Sequence, residues 1–335
     1  MTLMASPGIP LVELHQHLDG SIPPRVQWDM MRRFELQPVA TYEAMEHLLV
    51  MQPGEEGSLL SYLNKFHYPL WITQFYENIR DVTVAVLEEA YTAGVRLLEL
   101  RYAPIIHTYA GLTLRQTIRA VLSGMNDVVS RHPDFSTGLV VIAMRQHGPH
   151  IAKILARQAA SEAQHLHKRA GVIGFDIAGM ERGNPCRLFR EAYEIAALGQ
   201  LGLTAHAGED EGVENVWDAV DELGVSRVGH ACAAVRDVAL LERLARDRIL
   251  VECCLTSNQQ TGAVRRGEVH PIVRFLEAGV KVAICCDNTT VSGTDLARES
   301  ARAVELLGVE VVRAVHAEAR RHSFLRPPGV SPETA

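Results

Sequence analysis

The chain has 335 residues, 47% of them hydrophobic, and a formal net charge of -7. That is enough apolar material for a large core, and with no basic run it excludes a polymeric nucleic-acid partner. No apolar stretch reaches the roughly 18 residues that a membrane span needs, so no membrane partner is expected.

Residues 1–10 carry neither the basic start nor the apolar centre of a signal peptide. From there, short apolar runs alternate with segments of helical period. Eight runs rich in Val, Ile and Leu have strand length: 11–17, 95–103, 138–144, 172–178, 201–206, 227–230, 249–254 and 280–286. Several lack polar alternation, as parallel strands covered on both faces do. Between them, 81–93, 114–129, 151–170, 187–198, 213–223, 235–245 and 272–278 repeat apolar residues at three- and four-residue steps. Gly94, Gly199, Gly202, Gly224 and Gly279 stand where those helices should stop. The alternation predicts one α/β domain over 1–335, a closed (β/α)8 TIM-type barrel. A doubly wound open sheet shares the alternation and remains a competitor. The Pro-containing tail 326–335 is expected to fray.

One stretch breaks the rhythm. The gap between the first two runs is too long for one crossover helix, so a helical insertion is expected over about 22–90. Its centre carries Leu59, Leu60, Tyr62, Leu63, Phe66, Trp71 and Phe75. It reads equally as a helix packed on the barrel or as an apolar lid above the barrel mouth.

The six cysteines include two vicinal pairs and no CxxC spacing. They form no disulfide framework for a chain of this length, which points to a reducing, cytoplasmic setting.

The ends of the runs carry the chemistry. The first closes on His15-Gln16-His17, and residues two apart in a strand face one side. The fifth closes on His206-Ala207-Gly208-Glu209, where the small pair allows a tight turn. The sixth closes on His230 and the eighth on Asp287. Each alone is weak: an HxH pair arises by chance, and Asp287 also reads as a helix cap. Together they put His or Asp at the C-terminal end of four predicted strands, the face where barrel enzymes hold their sites. Three imidazoles and a carboxylate suit Zn²⁺, with Glu209 and His230 left as acid–base groups.

These residues resemble the adenosine deaminase family. The resemblance rests on HQHLDGS at 15–21, ELRYAP at 99–104, GFDIAG at 174–179, HAGE at 206–209, RVGH at 227–230, TSN at 256–258 and Asp287, all in family order. It implies one Zn²⁺ per chain held by His15, His17, His206 and Asp287. It implies that Glu209 protonates purine N1, and that His230 orients and helps deprotonate the metal-bound water. Gly179 would meet the purine edge, Asp19 the ribose 5′-hydroxyl, and Leu63 and Phe66 would belong to the lid. The implied reaction is hydrolytic deamination of adenosine or 2′-deoxyadenosine, with a purine nucleoside as the small-molecule partner.

Three positions depart from the family pattern. Asn288 stands where many members carry an Asp that contacts purine N7; an amide can still donate there. Leu255 replaces a common Pro, and Ala231 a common Gly. Related 6-aminopurines, such as adenine or aminodeoxyfutalosine, are the alternative substrates, although adenine deaminases typically carry Glu at the Asp19 position. A two-metal hydrolase is disfavoured because no Lys ends the fourth run.

Overall fold

The computed structural model describes residues 11–163 and 170–325. The expectations for 1–10, for 164–169 of the helix at 151–170, and for the tail 326–335 fall outside the described residues.

Eight strands run in chain order: β1 (Leu11–His17), β2 (Val95–Tyr102), β3 (Ser136–Met144), β4 (Val172–Ala178), β5 (Gly202–Ala207), β6 (Arg227–His230), β7 (Leu250–Cys253) and β8 (Lys281–Ile284). Every neighbouring pair is parallel, in the order β1 to β8. The ring closes just beyond β8, where Gln16 bridges Asp287 in parallel. There the Asp287 amide donates to the His15 carbonyl at 2.8 Å, and the His17 amide donates to the Asp287 carbonyl at 2.7 Å. An open sheet has no such closure, so the doubly wound alternative falls. β8 ends earlier than its apolar run, and Cys285 to Asp287 form the closing corner.

Helices occupy the expected intervals. The helix Tyr76–Thr92 starts earlier than its apolar period, and Val238–Arg246 starts later. The later start has a cause: the Asp237 side chain accepts from the Leu240 amide and caps that helix. Two long helices, Leu296–Leu307 and Val309–Arg321, lie outside the expected set, as do the short Leu255–Gln260 and Thr289–Ser292. No described helix is long and apolar enough to cross a membrane.

Between β1 and β2 the chain folds into short helices before the long Tyr76–Thr92 helix. The expected apolar centre is broken into Leu59–Asn64, a 3-10 turn Lys65–His67 and Pro69–Ile72. Pro69 cannot donate to an ongoing helix, and it opens the last piece instead. Tyr62 is buried with Met51 and Val291, and its hydroxyl lies 2.7 Å from Ser292 Oγ. That contact ties the insertion to the loop after β8. Leu60, Leu63, Trp71 and Phe75 keep large exposed apolar faces.

Alternation sets the inside of the barrel. Glu13, His15 and His17 share one side of β1, as Glu99 and Arg101 do on β2. Asp176, Thr204, Arg227 and Glu252 join them, and all of these groups are buried. Gly229 makes room: a Cβ there would lie 2.9 Å from His15 Cε1. The barrel interior is therefore polar, with the apolar core between strands and helices.

Candidate metal centre

The C-terminal ends of β1, β5 and β8 bring His15, His17, His206 and Asp287 together. The Nε2 atoms of the three histidines lie 3.0 to 3.1 Å from one another. Asp287 Oδ1 is 3.2 Å from His17 Nε2 and 3.8 Å from His15 Nε2. His230 borders the cluster: with His15, His206 and Asp287 it offers ligand atoms within 4.8 Å of one another.

The far side of two rings decides what the cluster can hold. His15 Nδ1 lies 2.8 Å from Glu252 Oε2, and His206 Nδ1 lies 2.9 Å from Asp176 Oδ2. A carboxylate there keeps the ring proton on Nδ1 and leaves Nε2 a lone pair. Two lone pairs 3.0 Å apart repel unless a cation lies between them. Burial pushes His15 and His17 well below the usual histidine range, which keeps both neutral. At His206 burial acts the same way, but Asp176 outweighs it and pulls the ring upward. A bound cation would compete with that proton.

The charge count points the same way. Four carboxylates, Asp176, Glu252, Glu99 and Asp287, are linked by ion pairs to these histidines and to two guanidiniums, Arg101 and Arg227. Four carboxylates against two guanidiniums leave this network net negative, which favours a bound cation. Donors of N and O type fit a borderline divalent metal.

The backbone carries strain at two of these residues and beside them. His230 has φ 63°, Asp287 has φ 64° and Ala231 has φ 50°, all in the left-handed region. Such positions cost about 1–3 kcal/mol each and cluster at functional sites. The Ala231 amide is held by the Ala207 carbonyl at 3.1 Å. This explains why a Gly is common there, and why Ala still fits.

Glu209 and His230 stand beside the cluster, with His230 Nε2 3.6 Å from Glu209 Oε2. Burial pushes the Glu209 carboxyl up to about 7, so burial favours its protonated form. Burial lowers His230 to about 3. Asp287 Oδ2 accepts from Ser257 Oγ at 2.5 Å, and Asn288 Nδ2 donates to Asp287 Oδ1 at 2.7 Å. Asn288 thus lies against the cluster, and Gly20 permits it: a Cβ on Gly20 would be 2.0 Å from Asn288 Oδ1. Gly179 has φ 92°, and a Cβ there would lie 2.6 Å from Gln146 Oε1. Phe66 packs on Met51, Tyr62 and Val291, while Leu63 on the helix before it is partly exposed. Asp19 Oδ1 is 2.7 Å from His107 Nε2, and His107 Nδ1 reaches the Thr73 carbonyl at 3.0 Å.

Sequence reasoning missed the supporting residues. Asp176, Glu252 and Arg101 hold the histidine rings, and Glu181 accepts from the amides of Gly208, Glu209 and Asp210 at 2.9 to 3.1 Å. For Asp176, Glu252 and Arg101 the signal is present, since a charge inside an apolar strand must be paired to be buried; Glu181 lies in the loop after β4, where no such signal exists.

A family model described as adenosine deaminase matches residues 10–329. The chain belongs to the adenosine deaminase family. An adenosine deaminase of Clostridium kluyveri is 35% identical over 87% of this chain and 82% of its own length. One from Erwinia tasmaniensis is 33% identical over 92% of this chain and 91% of its own. A Dictyostelium discoideum protein named "Probable adenosine deaminase" is 32% identical over 96% of this chain, which spans 41% of that longer protein. Solved structures of similar shape include two deaminases. The adenine deaminase of Arthrobacter aurescens has a TM-score of 0.85 at 25% identity, covering 95% of each chain. An Arabidopsis N6-mAMP deaminase has a TM-score of 0.81 at 26% identity, covering 95% of this chain and 94% of its own.

A first expected result concerns the supporting shell. Asp176→Asn keeps the shape but removes the charge beside His206 Nδ1. Metal affinity should fall by about 10–100-fold. Metal release to a chelator, followed in variant and wild type, checks this; equal release would remove Asp176 from the shell.

Proposed function

We propose that this protein hydrolyses adenosine or 2′-deoxyadenosine at C6, so that water replaces the amino group to give inosine or 2′-deoxyinosine and ammonia leaves, using one Zn²⁺ held by His15, His17, His206 and Asp287. The observation that carries the reading is the set of facing imidazole nitrogens beside Glu209, a buried acid whose carboxyl burial pushes up to about 7. When bound, Zn²⁺ lowers the pKa of a water and so supplies the nucleophile.

The chain's own groups do the rest. Glu209 donates its proton to purine N1, which drains charge from C6 and opens it to attack. His230 orients the attacking water. The Gly179 backbone approaches the purine edge, which its missing Cβ allows. Asn288 uses its second amide hydrogen at N7. Asp19, steadied by His107, receives the 5′-hydroxyl. Leu63 and Phe66 belong to a lid that excludes water and strengthens the electrostatics beneath. The six thiols are free and buried, which supports a reducing, cytoplasmic setting.

The likeness in shape to an adenine deaminase favours adenine as the second reading. Loss of the adenosine absorbance band on mixing, abolished by a zinc chelator and restored by Zn²⁺, is the expected result. Adenosine should exceed adenine in kcat/KM. Adenine turned over faster would transfer the proposal to the free base; no turnover of either would end it.

A further inference from the structure

His230 is joined to a chain of buried polar groups that ends on a backbone amide. The Ile272 amide lies 3.1 Å from His270 Nδ1. A backbone N–H can only donate, so His270 Nδ1 is a lone pair and the ring proton sits on Nε2. His270 Nε2 is 3.1 Å from Asn258 Oδ1, which therefore accepts. That sets the Asn258 amide with its Nδ2 toward His230 Nδ1, 2.8 Å away. His230 Nδ1 must then be the acceptor, and its single proton sits on Nε2.

The reverse orientation of Asn258 fails on proton count. It would turn Nδ2 toward His270 Nε2, so both nitrogens of His270 would accept and the ring would carry no proton. All three residues are buried, so water offers no easy substitute partner.

We infer that His270, acting through Asn258, locks His230 as the Nε2–H tautomer, so that His230 faces the site as a hydrogen-bond donor. His270 is a positioning residue, set in the segment before the helix Ile272–Glu277. What the Nε2–H meets rests on the proposed deaminase reading: it donates to the attacking water and so orients it. It cannot accept the water's proton at Nε2, which narrows the role implied for His230 to orientation. The tautomer itself does not depend on that reading.

Nitrogen-15 imidazole spectra of the purified, metal-carrying protein test the tautomer directly, with His230 assigned by its loss in His230→Gln. The expected wild-type pattern is a protonated Nε2 and a lone-pair Nδ1 at His230. His270→Phe removes the donor to Asn258, so the two tautomers should mix and kcat should fall about 10–100-fold with KM unchanged. His270→Gln supplies an amide donor and should recover most of that loss. A protonated Nδ1 at His230 in the wild type overturns the inference. So does an unmixed Nε2–H form in both His270→Phe and Asn258→Leu. If the spectra show the locked tautomer but no 6-aminopurine is turned over, the relay stands and the deaminase reading falls.

Discussion

Glu209→Gln is expected to bind metal as the wild type does and to lose about 10²–10⁴-fold in kcat. Its position supports this. The preceding Gly208, at φ 71°, turns the chain so that Glu209 faces His230 without joining the three imidazoles. Glu181 accepts from the amides at 208 to 210 and fixes the loop, so the acid is held by backbone contacts that the substitution leaves intact. Gln matches the shape and can still donate a hydrogen bond to N1. It cannot give up a proton, and that difference isolates the chemical step from binding. KM should therefore change little. Metal content and single-turnover rates on adenosine form the measurement. A variant with near wild-type kcat would show that N1 is protonated by another group.

Strand runs and their ends were legible, because parallel strands buried on both faces are continuous apolar words and the barrel gathers their C-terminal ends. The sequence alone therefore places His15, His17, His206 and Asp287 on one rim. The polar interior was less legible. Arg101 and Glu252 come from strands far apart in the chain, and only the closed ring shows that they meet. Asn258 was visible within TSN, but its orientation depends on His270, which sits outside any strand end. The helices Leu296–Leu307 and Val309–Arg321 lay beyond the last strand run and were not anticipated. The insertion was located by length alone, and its breaks follow from Pro69 and from turns that no period announces.

Arg101→Met should destabilise the folded protein by about 3–5 kcal/mol, because it removes one partner from a buried ion-pair network. The Arg101 guanidinium lies 2.6 Å from Asp176 Oδ2, contacts Glu252, and donates to the Leu14 carbonyl at 3.2 Å. Those carboxylates are the ones that hold His206 and His15. Asp176 sits well below the usual carboxylate range: burial pushes it upward, but His206 and Arg101 outweigh that. Met fills much of the same volume and supplies no charge, so two carboxylates would face one another in a dry interior. A surface arginine gives the contrast. Arg80 pairs with Asp127 at 2.5 Å, yet both are more than two-fifths exposed, with side-chain exposures of 43% and 41%. Arg80→Met should leave the unfolding midpoint close to that of the wild type, since water screens such pairs. Urea unfolding of both variants and the wild type, each with metal in excess, separates the two cases. A shared midpoint for Arg101→Met and the wild type would mean that the interior charges are not balanced as the ion pairs indicate. The net negative charge that favours a cation at the histidine cluster would then lose its electrostatic basis.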